Sequence, residues 1–219
     1  MRLERDFPQV RRIQQRYLAA SANASKNLPG CPTAQWKLVE DLSYAMIDLP
    51  RRNAEMFKHY SLPLLVEFLL RSHAYYRESL LPSIEQDIRQ VLSSGISPSI
   101  SLSIAGVFAT FRCEFLQHLE WEEEGLLKIA LDMTSNKKNR PQLTKKVQED
   151  FLRKHPQHPE LEQLLALGDL LAKKDDASFA ARLLHTRLQA LVEELQLHAL
   201  IEEDVLMERI REIIQTEAN

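Results

Sequence analysis

The chain has 219 residues, enough for one large domain with a sizeable core, and its five glycines are about 2% of it against about 7% in average usage, too few for sandwiches, barrels or dinucleotide-binding folds. A net charge of -3 leaves no global basic field to hold a nucleic-acid backbone or an anionic membrane. Apolar residues make up 44% and charged residues 27%, with Leu, Glu, Ala, Gln, Arg and Lys recurring; this is the vocabulary of helix formers, and the expected class is all-α.

In chain order, Val10, Ile13, Tyr17 and Leu18 recur at helical spacing over residues 8 to 24, and Asn27 to Pro32 reads as a turn. A second short helix is expected from Thr33 to Asp48, so residues 1–56 form a helical N-terminal extension. A long helix follows over 61–92, disturbed at Pro82. The Ser/Gly tract from Ser93 breaks it, and the next helix spans 99–133. Residues 142–154 look helical until Pro156 and Pro159 interrupt them; a further helix runs over 161–174, and Asp175, Asp176 and Ser178 offer caps for a last one reaching about residue 215. Four long helices after a leading pair predict a four-helix bundle over 57–219.

Cys31 and Cys113 form no C-x-x-C, so neither a disulfide framework nor a thiolate zinc site is indicated. The charged start, Met1 to Asp6, is followed by no apolar signal region, and no run of about 18 apolar residues occurs. The chain therefore reads as cytoplasmic, with neither nucleic acid nor a membrane as partner.

The chemistry lies in an internal echo. His118-Leu-Glu-Trp-Glu122-Glu-Glu-Gly-Leu and His198-Ala-Leu-Ile-Glu202-Glu-Asp-Val-Leu share the pattern H-x-x-apolar-E-E-acid-x-L. Residues four apart share a helix face, so each pair presents an imidazole and a carboxylate together, half of a metal site. Either pair alone is equally a solvated helical face. Apolar neighbours on both sides, Leu116, Leu119, Leu126 and Ile129 in one helix and Leu195, Ile201, Val205 and Leu206 in the other, favour burial. A buried carboxylate then needs a cation or donor as partner. His73, on the 61–92 helix beside two tyrosines, is the third element. Imidazole and carboxylate without thiolate favour iron or manganese, with zinc as a substitute.

These residues resemble the hemerythrin-like proteins, the HHE cation-binding domains, nearest the branch of the "repair of iron centres" proteins. The likeness covers about residues 57–212 and rests on Arg71-Ser-His73-Ala-Tyr-Tyr with Leu81-Pro-Ser-Ile-Glu85, on the His118 to Glu123 segment and on the His198 to Leu206 segment. It implies an antiparallel four-helix bundle with a non-haem di-iron site, in which His73, His118 and His198 are terminal ligands and Glu122 and Glu202 bridge the ions. A further family histidine is best matched by His158, with His155 as its competitor, and another is expected near Ser94, where no histidine stands. The implied activity is reaction with or sensing of O2, NO or peroxide, or the handling of iron. The paired-cysteine domain of some repair proteins has no counterpart around Cys31. The competing expectation is a non-catalytic signalling or interaction module with little or no metal, in which residues 1–56 bind a protein partner. No nucleophile triad, phosphate loop or dinucleotide fingerprint supports a hydrolase, kinase or dehydrogenase.

Overall fold

A computed structural model describes residues 11–16, 32–47, 54–95, 98–135, 159–173 and 177–218. These residues are helical apart from short turns, with no strand among them. Residues 11–16 form a helical stretch. It is followed by α1 (Pro32–Ile47) and a 3-10 turn (Ala54–Phe57). The next helix consists of α2 (Leu62–Tyr75), a π-helical turn (Tyr76–Leu80) and α3 (Leu81–Ser93). Then come α4 (Pro98–Glu122), a second π turn (Glu123–Leu127) and α5 (Lys128–Ser135). After α6 (Pro159–Ala172), the last helix runs through α7 (Phe179–Ala199), a third π turn (Leu200–Met207) and α8 (Glu208–Ala218).

The disturbance expected at Pro82 takes the form of the first π turn. Proline lacks an N–H and its ring collides with the carbonyl four residues back. The backbone widens just before it, and the Leu81 N–H bonds the Tyr76 carbonyl, an i to i-5 step. Pro82 then stands in the first turn of α3, where its missing donor costs little. At the far end of α3, Ser94 Oγ donates to the Val91 carbonyl at 2.6 Å. Gly95 leaves the helix at φ +69, a left-handed conformation that glycine adopts without a Cβ penalty. The expected cap of the last helix is met by Ser178, whose Oγ accepts the Ala181 N–H at 3.1 Å. Asp175 and Asp176 lie outside the described residues, as does the segment 142–154.

The chain divides into two compact units. The first comprises Met1–Ser72, Gly125–Leu152 and Glu194–Asn219. Its core gathers one face of α1 (Leu38, Leu42, Met46) with Leu65 and Leu69 of α2, Ile129 and Met133 of α5, and Ile201, Val205 and Ile210 near the C-terminus. Residues 32–47 thus share the core of this unit, with Trp36 and Tyr44 on the exposed face of α1. Beside this apolar core runs a buried polar chain. Arg16 is stacked over Phe68 at 5.9 Å, donates to Ser72 Oγ at 2.9 Å and pairs with the Glu194 carboxylate, which Arg12 also meets at 3.2 Å. Arg71 Nη1 donates to the Arg16 carbonyl at 3.3 Å and its Nη2 pairs with Glu67 at 2.5 Å.

The second unit comprises His73–Glu124 and Arg153–Glu193. Here α4 packs against both α3 and α6. Phe108, Phe111 and Phe115 of α4 follow one another at one-turn intervals, and Phe115 meets Tyr76 of the π turn at 5.7 Å between centroids. A Cβ on Gly168 of α6 would stand 2.9 Å from Leu188 Cδ1 on α7, so the two helices approach closely there. Arg187 of α7 reaches Asp87 of α3 at 2.7 Å. Burial pushes the Asp87 carboxyl above its ordinary value, against the pull of Arg187.

Among the described residues one helix, Pro98–Thr134, is long and apolar enough by composition to cross a membrane. Its buried residues, from Ser101 and Ile104 through Phe115 to His118 and Glu122, repeat every three or four positions. Arg112, Glu114 and Glu120 lie on its exposed side.

Candidate metal centre

Each of the three helices that carry the sequence-derived ligands contains a π turn at or next to them. One begins three residues after His73, one follows Glu122 directly, and one encloses Glu202. Such turns arise mostly as single widened turns within α-helices, frequently at functional sites, because an extra residue re-aims the side chains around it.

In the second unit, Glu122 closes α4 and is 1% exposed. Its two oxygens face two different imidazoles: Oε1 lies 2.5 Å from His118 Nε2, and Oε2 lies 3.1 Å from His73 Nε2. His73, fully buried in the last turn of α2, also directs its other ring nitrogen at a carboxylate, with Nδ1 2.8 Å from Glu123 Oε1. Arg77 Nη1 donates to that same Glu123 oxygen at 2.6 Å. Burial by itself would push the Glu123 carboxyl up; the hydrogen bonds from His73 and Arg77 outweigh it and hold the group below its ordinary value. Trp121 lies beside His118, its ring centroid 6.2 Å away and nearly parallel.

In the first unit, His198 near the end of α7 and Glu202 in the following π turn are 4% and 1% exposed. His198 Nε2 stands 3.3 Å from Glu202 Oε2. Glu194, one turn before His198, is the buried partner of Arg16. The helix therefore reads E-x-x-x-H-x-x-x-E over 194–202, with the first acid already matched by a guanidinium.

His73, His118 and Glu122 come together in the second unit, and His198 with Glu202 in the first. Buried imidazole and carboxylate donors of this kind could hold a metal ion and suit a divalent cation. Two imidazoles and a carboxylate do not by themselves choose among iron, manganese and zinc.

All five histidines and glutamates singled out by spacing and position are buried: His73, His118, Glu122, His198 and Glu202. Glu122 meets both His73 and His118 in the second unit, and Glu202 meets His198 in the first. His158 and His155 fall outside the described residues. Ser94 is an exposed serine at the end of α3. His185 lies on α7, 3.8 Å from Asp169, and His59 is exposed beside Tyr60. Sequence reasoning missed Glu123, Arg77, Glu194 and Arg16. A signal existed for Glu194, since it stands four residues before His198 as Glu202 stands four after. Scans against protein-family models, curated proteins and solved structures found no match.

Proposed function

We propose that the chain is a hemerythrin-like four-helix bundle that binds a pair of iron ions, with manganese or zinc as substitutes, and acts on or senses O2, NO or peroxide, or handles iron. The observation that carries this reading is the Glu122 carboxylate, turned with one oxygen toward His73 and the other toward His118. These three side chains of the second unit would together hold the metal, Glu122 offering a carboxylate oxygen on the side of each imidazole. Iron bound there would supply a redox-active Lewis acid.

The protein's own part is to hold the donors and exclude water. Burial of His73, His118, His198, Glu122 and Glu202 at 7% exposure or less keeps solvent from competing. We place the chain in the cytoplasm and read Pro98–Thr134 as a core helix, because its buried side carries His118 and Glu122.

The test is elemental analysis of protein made in iron-supplemented medium and kept anaerobic, beside the Glu122→Ala variant. Iron at one to two per chain in the parent and background in the variant is the expected result. A parent that takes up no iron, manganese or zinc, with a variant as stable as itself, overturns it in favour of an interaction module. The exposed Ser94, where the family has a histidine, is the observation on that side.

A further inference from the structure

His73 is gripped on both edges of its ring by consecutive residues of another helix. Glu122 takes the Nε2 edge at 3.1 Å and Glu123 takes the Nδ1 edge at 2.8 Å. Successive helical residues point about 100° apart, so two neighbouring acids can flank one imidazole only if the helix places their divide opposite the ring. The π turn opens at that divide, with Glu122 as the last residue of α4 and Glu123 as the first of the widened turn. Arg77, which fixes Glu123 from the far side at 2.6 Å, comes from the other π turn, Tyr76–Leu80. Both supporting residues thus belong to widened turns, whereas the donors they serve, His73 and Glu122, end regular helix or lie near its end.

A neutral imidazole carries one N–H, and the hydrogen bond made by one nitrogen decides which nitrogen has the lone pair. We propose that Glu123, fixed by Arg77, is the positioning residue of the centre: it accepts the Nδ1 proton of His73 and so commits the Nε2 lone pair to the metal beside Glu122. The proposal rests on the metal reading above and adds to it the residues that set the tautomer and ring orientation of one ligand. Arg77 has a second effect, since it matches the extra carboxylate and leaves the charge of Glu122 for the cation. An acid behind a ligating histidine fixes its orientation and raises its basicity, and losing such a partner typically costs about 10–100-fold in metal affinity.

The experiment uses the full chain and Fe(II) added anaerobically, with Glu123→Leu, Glu123→Gln and Arg77→Met compared with the parent. Glu123→Leu should weaken Fe(II) binding by about 10–100-fold. Glu123→Gln should recover part of this, because its amide oxygen still accepts from Nδ1, and Arg77→Met should fall between the two. In the metal-free parent, long-range proton–nitrogen NMR correlations should show a proton on His73 Nδ1, and Glu123→Leu should shift that signature. The Gln and Met variants keep the test usable if Glu123→Leu fails to fold. Variants that bind Fe(II) as tightly as an iron-binding parent, or a parent His73 with Nδ1 unprotonated, overturn the positioning role alone. A parent that binds no iron removes the metal reading and this role with it.

Discussion

The two H-x-x-x-E pairs have the same spacing in sequence and different surroundings in space. In the first, Glu122 precedes its π turn, and the His118–Glu122 contact closes at 2.5 Å within regular helix. In the second, the widening begins between the two residues, Glu202 sits inside the turn, and the His198–Glu202 contact is 3.3 Å. Their neighbours differ as well. Glu122 is shared with His73, while His198 has Glu194 one turn below it, already paired with Arg16. Spacing alone therefore nominates donors, and the backbone around them decides how many imidazoles each carboxylate serves.

The widest separation of the two pairs should come from Glu122→Ala. That variant removes the oxygen partner of two histidines, so iron uptake measured by elemental analysis should fall to background, beyond the about 10–100-fold expected of a supporting residue. Glu202→Ala removes the partner of one, and a titration should show weakened rather than abolished binding. Equal losses in the two variants would break the comparison.

Arg16→Ala acts beside the second pair only. It leaves the buried Glu194 with Arg12 as its remaining guanidinium, so the loss should be below the about 3–5 kcal/mol of a buried ion pair broken outright, to be read by urea denaturation of the metal-free chain. Replacing both, Arg16→Met with Glu194→Leu, should restore most of that stability. A double variant as unstable as the single one would show that Arg16 acts through packing on Phe68 instead of charge.

The smallest effect is expected away from both pairs, at Asp87. Its carboxyl is raised in the folded chain, so the folded state binds its proton more tightly and the contribution to stability declines as pH rises from 3.8 through the folded value. Asp87→Asn does not titrate. The stability of the parent relative to this variant should decrease with rising pH across that window, and an increase would reverse the assigned sign.

Sequence reading reached the helices and the buried His–Glu pairs because both obey short-range rules. Leu184, Leu188, Leu191, Ile201, Val205 and Ile210 are buried where the helical repeat places them, and the helix bounds at Ser93 and Pro98 follow from Gly95 and Pro98. The polar supports obey no such rule. Arg16 meets a glutamate 178 residues away, and Glu123 meets a histidine 50 residues away, so each pair is set by packing and leaves no local pattern. The π turns were equally hidden. Only the one before Pro82 has a sequence cause, and even there proline announced a disturbance without its form.

The turn at Leu200–Met207 also bears on how this helix tolerates change in length. Deleting one residue within α7 would rotate everything beyond it by about 100°, swinging Ile210 and Ile214 away from the core they share with Leu42 and Met46. Deleting the exposed Glu203 from the widened turn has the opposite consequence. The turn can tighten to α geometry, the surplus residue disappears, and α8 keeps its face while His198 and Glu202 keep their spacing. The widened turn is thus a stretch of this helix from which a residue can be lost without scrambling the register of α8.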